Sequence, residues 1–191
     1  MSGTSRERMV ASAASLIGSR GANATSFAEV LADSRAPRGS IYYHFPDGKH
    51  QLVREALRRT KAQVLGYQRG CTARTPAGVV THFVALFRRS LTASHCRAGC
   101  PVAGVVLDSF AEEGTLRTLV RESFRSWAAL LAVQFAATGL PRRSARALAI
   151  TTLAAVEGAL ILSRAEGRVA PLDVTEQQLL ALATSLVRRS G

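Results

Sequence analysis

Apolar side chains recur at three- and four-residue intervals along almost the whole chain, and no stretch alternates as a strand would. The pattern predicts an all-α fold of about nine helices. The first helix starts at Thr4, because Thr4 and Glu7 stand at the spacing of a reciprocal cap. It carries Met9, Val10, Ala13, Leu16 and Ile17 on one face and stops at Arg20-Gly21. A second, short helix opens at Thr25 or Ser26 and turns Phe27, Val30 and Leu31 inward. Ser34-Arg35-Ala36-Pro37 reads as a turn, since proline suits the first helical position and disfavours helix in the residue before it. A third helix of about two turns follows, Arg38 to His44. Phe45-Pro46-Asp47-Gly48 ends it, and Asp47 is placed to cap a long fourth helix carrying Leu52, Val53, Ala56 and Leu57.

The polar segment Gly66 to Thr75 reads as a link between a small head and a larger body. Thr75-Pro76 opens a helix through Val79, Val80, Phe83, Leu86, Phe87 and Leu91, and Cys100-Pro101 opens another with Val102, Val105, Val106 and Phe110. Thr115 caps a longer one holding Leu119, Phe124, Trp127, Leu130, Leu131 and Phe135, which Gly139-Leu140-Pro141 breaks. Residues 142–166 form a helix rich in small side chains, Gly167 to Pro171 break again, and Thr175 to Arg189 make the last. The expected division is a small head over residues 1–48 and, over residues 49–191, a connecting helix leading into a larger body.

A formal charge of +12 favours a polyanionic partner, nucleic acid before an acidic membrane surface. The charge does not locate the contact surface. Residues 1–60 hold nine Lys/Arg against five Asp/Glu, residues 61–191 sixteen against eight, so basicity is spread along the chain. No apolar run follows Met1, as a secretory signal would require, and the longest nearly apolar stretch, Trp127 to Leu140, falls short of a membrane span. The three cysteines, Cys71, Cys96 and Cys100, are an odd number and suit reduced thiols in the cytoplasm. His82, His95, Cys96 and Cys100 lack the spacing of a zinc site, and no phosphate loop, paired acid motif or nucleophile elbow is present. The expectation is a non-enzymatic protein without cofactor or metal.

The chemistry concentrates in residues 25–49. Two short helices joined by a tight turn and laid on a longer one outline a DNA-reading unit. Thr25 stands at a helix start, where its hydroxyl and free backbone N–H groups could hold a phosphate oxygen. In the third helix only Ile41, followed by Phe45, looks like a core anchor, which leaves Arg38, Ser40, Tyr43 and His44 to face outward. Arg38 could reach guanine O6 and N7 together, a contact worth ~1–3 kcal/mol of base discrimination. Gly39 would let the backbone approach DNA closely, and Ser40 could touch base or backbone. Tyr42, His44 and Lys49 are polar ends suited to phosphates. Two readings stay open for Tyr42, a phosphate contact or a ring packed between helices with its hydroxyl exposed.

These residues carry a resemblance. Thr25-x-x-x-x-Val30-Leu31 followed by Pro37-Arg38-Gly39-Ser40-Ile41-Tyr42-Tyr43-His44-Phe45-x-x-x-Lys49-x-x-Leu52 resembles the signature of the TetR family of bacterial repressors. Ala36-Pro37-Arg38-Gly39-Ser40-Ile41-Tyr42, Gly99-Cys100-Pro101-Val102 and Glu157-Gly158-Ala159-Leu160 are similar to its LmrA/YxaF-like branch. The resemblance implies an Ω-shaped homodimer in the cytoplasm whose heads read a palindromic double-stranded DNA operator. It also implies that residues 1–48 are a helix-turn-helix DNA-binding domain and residues 49–191 a connecting helix and ligand-binding and dimerisation domain, which takes a small, largely apolar effector and then releases the DNA, with no membrane partner. Where the family's turn often has Ala-Gly-Val-Ser, here stands Ser34-Arg35-Ala36-Pro37; Arg35 in place of glycine either strains the turn or adds a phosphate contact.

The body's candidate ligand-binding residues are Phe83, Phe87, Phe110, Phe124, Trp127, Leu131 and Glu157, though an aromatic stripe at helical spacing also serves as plain core. Glu157, inside an apolar helix, could bind a ligand, pair with an arginine or face solvent. The small-residue run Ala145 to Ala165 and the last helix could form a four-helix seam between two subunits. The alternative function is a helical carrier of small molecules or lipids with a basic face toward membranes.

Overall fold

In the computed structural model, which describes residues 4–108 and 114–189, the described residues form nine α-helices and no strand. They are α1 Ser5–Arg20, α2 Phe27–Ser34, α3 Ser40–His44, α4 Gly48–Arg69, α5 Pro76–Ala93, α6 Pro101–Leu107, α7 Gly114–Ala137, α8 Arg142–Glu166 and α9 Ala170–Arg188. The all-helical expectation and its count hold.

Helix starts follow local chemistry. The Thr4 hydroxyl accepts from the Glu7 N–H while the Glu7 carboxylate accepts from the Thr4 N–H, the reciprocal cap read from sequence. Ser26 and Glu29 repeat the device at α2. Thr75 caps α5 ahead of Pro76. The seventh helix begins at Gly114, so Thr115, expected as its cap, stands inside it; other boundaries differ from expectation too. The third helix begins at Ser40, because Pro37 to Gly39 form a turn in which Pro37 accepts from the Ser40 N–H at 3.0 Å. The fourth continues through Gly66 to Arg69, where Gln68 is buried and donates to the Trp127 carbonyl at 3.1 Å. The ninth begins at Ala170, with Pro171 in its first turn and Thr175 inside it, donating to the Pro171 carbonyl.

The chain divides into two compact units, residues 1–62 with 99–123, and residues 63–98 with 124–191. In the first, α1, α2, α3 and the start of α4 enclose Met9, Ala13, Ile17, Val30, Ile41, Phe45, Ala56 and Leu57, all buried. The segment that returns to them is α6, laid against α1. Two glycines set that approach: a Cβ on Gly18 would stand 2.5 Å from the Gly99 carbonyl oxygen, and one on Gly104 would stand 2.7 Å from the Ile17 carbonyl oxygen.

In the second unit α5, α8 and α9 pack with the later part of α7 around Phe83, Trp127, Leu131, Phe135, Leu148, Val156 and Leu172. Arg88 on α5 pairs with Asp173 and with Glu176 of α9, the latter at 2.6 Å. Its guanidinium is held above the ordinary arginine range, first by the hydrogen bond to Asp173. Among the described residues α8 alone is long and apolar enough to span a bilayer, yet 44% of its apolar window is buried within the chain. Its remaining apolar positions lie on a second stripe. Ala147, Ile150, Thr151, Ala154, Gly158, Ile161, Leu162 and Ala165, spaced three, four and seven apart, are all exposed.

Candidate nucleic-acid interface

The third helix hangs from two anchors. Ile41 and Phe45 are both 0% exposed, and the Arg6 guanidinium stands 5.6 Å over the Phe45 ring while its Nη2 pairs with Glu55 at 2.6 Å. With only five residues in α3, two anchors four apart fix its rotation. Everything between and before them points away from the core. Arg38 and Gly39 are exposed, Tyr42 is 70% and Tyr43 84% exposed, and Ser40 and His44 are half-buried.

The surface has internal order. The Tyr42 ring meets Phe27 of α2 edge-on at 5.7 Å, so both sequence readings of Tyr42 are visible at once: a packed ring and an exposed tip. Tyr43, His44 and Phe45 follow edge to face, at 5.2 and 6.4 Å. The Ser40 hydroxyl donates to the Pro37 carbonyl at 2.7 Å. Gly39 has φ −75°, an ordinary helical value, and a Cβ placed on it would meet nothing within 4 Å. Neither conformation nor packing within the chain requires glycine there.

Thr25 sits differently from its neighbours. It is buried, its hydroxyl donates to the Gly21 carbonyl at 2.8 Å, and its N–H donates to Ala22. The cap of α2 is Ser26, whose N–H and hydroxyl both donate to Glu29. Those two bonds hold the Glu29 carboxyl below its usual range, the backbone one first, and Arg20 adds an ion pair at 2.5 Å. Lys49 at the start of α4 donates to the Asn23 carbonyl at 3.0 Å, which places its ammonium beside the loop ahead of α2. Arg35, in the turn, adopts the left-handed region at φ 52°, ψ 37°. Its N–H and that of Ala36 close the end of α2, and the Arg8 side chain donates to the Ser34 carbonyl.

Of the expected ligand residues, Phe83, Trp127 and Leu131 are core, each at most 1% exposed, and Phe87 is buried edge-on to Phe83. Glu157 is half-buried on α8, and Phe110 lies outside the described residues. Phe124 lines a groove of about 950 Å³ between α7 and α8, and it touches Trp127 edge-on at 5.5 Å. Large side chains alone do not mark this groove in the sequence. Its walls are alanines at 128, 132 and 136, a regular i, i+4 series that could have pointed to it. Cys96 and Cys100 are buried, and His82 stacks on Tyr67 while donating to its carbonyl at 2.9 Å.

Comparison with known proteins places this geometry. Residues 10–56 match the bacterial regulatory proteins of the tetR family, and residues 76–178 match the C-terminal domain of LmrA/YxaF-like transcriptional regulators. The chain is 37% identical over 179 residues to the uncharacterized HTH-type transcriptional regulator Rv0196 of Mycobacterium tuberculosis, covering 91% of each. It is 28% identical to the HTH-type transcriptional regulator LmrA of Bacillus subtilis, over 89% of this chain and 92% of that one. A TetR transcriptional regulator from Legionella pneumophila shares the fold with a TM-score of 0.81 at 22% identity, over 94% and 96% of the two chains. With its short third helix held out from a helical head and its body matched beyond half the chain, this protein belongs to the TetR family of transcriptional regulators, in the LmrA/YxaF-like branch.

Proposed function

We propose that the chain is a ligand-responsive repressor that binds a palindromic operator as a homodimer and leaves it when a small, largely apolar effector binds. In this reading residues 1–48 read DNA, and residues 49–191 connect, pair and bind the effector in the cytoplasm. The observation that carries it is the contrast across α3 and the residues flanking it: Ile41 and Phe45 sealed in the core, with Arg38, Gly39, Tyr42 and Tyr43 turned to solvent. Two such helices would enter successive major grooves ~34–36 Å apart. Arg38 reads a guanine, while Ser40, Tyr43 and His44 meet bases or sugar-phosphate. Tyr42 and Lys49 take phosphates. Gly39, which the fold does not need, keeps the backbone close to the duplex. Thr25 serves indirectly, its buried hydroxyl fixing the loop from Gly21 that leads into α2.

The part of the exposed stripe of α8 that lies away from α7, Ala147, Thr151, Ala154, Gly158, Ile161 and Ala165, supports pairing with a second copy. Small side chains let two helices approach closely and bury backbone as well as side-chain surface.

The test is a fluorescence anisotropy series on operator fragments selected from random DNA. Arg38→Ala should lower affinity for the selected sequence alone. Lys49→Ala should weaken every sequence about equally and reduce the salt slope by ~1. If neither variant changes binding, α3 is not the reading helix.

A further inference from the structure

The groove between α7 and α8 has a chemical polarity of its own. Phe124, Ala128, Ala132, Val133 and Ala136 of α7 and Ile150 and Leu153 of α8 give it an apolar floor. Its remaining charged walls are all arginine: Arg125, Arg142 and Arg146. Arg142 and Arg146 stand one turn apart on α8, so their side chains share a face. Among the described residues no acid stands in the first turn of α8 and none lines the groove. The run from Phe124 to Ala136 spans about 18 Å at the rise of a helix. Since only Thr138 to Pro141 separate α7 from α8, Arg142 closes the end near Ala136, and Arg125 and Leu153 lie toward the other.

We propose that this groove binds an amphipathic carboxylate, a single unbranched apolar tail with an anionic head, as the effector. The head is taken by Arg142 and Arg146, and the tail lies along the alanines toward Phe124. The assignment rests on charge complementarity. An apolar slot alone would accept any oily molecule, but the exposed guanidinium groups of Arg142 and Arg146 at one end of it can form charge-assisted, bidentate hydrogen bonds to a carboxylate and none of that strength to a neutral head. That the ligand is the effector rests on the repressor reading above; that a carboxylate binds here does not.

The experiment titrates the full-length chain with dodecanoate and, separately, with dodecanol, following heat by calorimetry and the emission of Trp127, which touches Phe124 of the groove. Dodecanoate should bind at one saturable site per chain, about tenfold or more tighter than the alcohol. Arg142→Gln with Arg146→Gln should bring the carboxylate down to the affinity of the alcohol and leave the alcohol unchanged. Ala132→Trp, checked for folding by its thermal melt, should fill the slot and abolish both. Equal binding of the two probes, indifference to the arginine pair, or survival of binding in Ala132→Trp would overturn the site. So would light scattering in which Ala132→Trp turns a dimer into monomers, for the groove would then belong to a second copy. A parallel arm adds dodecanoate to the protein on its selected operator. Release is expected. Binding without release would leave the carboxylate site and remove its effector role, and absence of any operator would remove the repressor reading while the titration stays readable.

Discussion

Asn23 and Asp108 hold each other through two hydrogen bonds across 85 residues of sequence. The Asn23 N–H donates to Asp108 Oδ2 at 2.8 Å, and its side-chain amide donates to the Asp108 carbonyl at 2.6 Å. Asn23 also accepts from Lys49, so the end of α6, the loop ahead of α2 and a proposed phosphate contact form one linked group. Asp108→Ala should cost ~1 kcal/mol in a denaturant melt, the worth of an exposed hydrogen bond. It should also weaken operator and unrelated DNA alike, as measured by anisotropy, because the loop that steadies Lys49 is loosened. Lost stability with unaltered DNA affinity would show that this link does not position Lys49.

Two glycines separate a requirement of the fold from a requirement of the duplex. Gly104→Ala drives a Cβ into the Ile17 carbonyl and should destabilise the chain by ~1–3 kcal/mol. Gly39→Ala places its methyl in open space and should leave the melt unchanged or raise it by up to ~1 kcal/mol. Its operator affinity should nonetheless fall. Thermal melts and anisotropy on both variants check the contrast, and a Gly39→Ala protein that binds like the parent would place the duplex further from α3.

Arg35 occupies a backbone region that costs a side chain ~1–2 kcal/mol and costs glycine nothing. Arg35→Gly should therefore stabilise the protein by about 1 kcal/mol. If the guanidinium meets a phosphate, the same change lowers the salt slope of DNA binding by ~1. A stability gain with an unchanged slope would assign the residue to the turn alone.

Glu29 gives the head an acid sensitivity. Its carboxyl is lowered in the folded chain, first by the Ser26 backbone hydrogen bond and then by the Ser26 hydroxyl. A depressed carboxyl adds stability that is present above its unfolded value and is lost as pH falls through the folded one. Melts across the acidic range should show this loss, and Glu29→Gln should flatten that part of the profile. An unchanged profile would mean that the cap is not formed in solution.

The capping pairs Thr4 with Glu7 and Thr75 with Pro76 were legible because helix starts are local events, settled by residues three apart. The anchors Ile41 and Phe45 were legible for the same reason, since their spacing leaves one face for the core. What sequence concealed was long-range or negative. Nothing near Asp108 announces Asn23. The close approach at Gly18 and Gly104 appears in sequence only as two unremarked glycines inside helices. The aromatic positions expected to line a cavity, Phe83 and Trp127 among them, are large enough to fill space, whereas Ala128, Ala132 and Ala136 leave it empty. A search for bulk finds core; a cavity is written in small residues.

Where α1 meets α6, carbonyl oxygens face bare α-carbons. Side chains between helices act as cushions, since a rotamer can yield before a backbone moves. Without them the contact has no slack. A shift of either helix toward the other would therefore press directly on backbone.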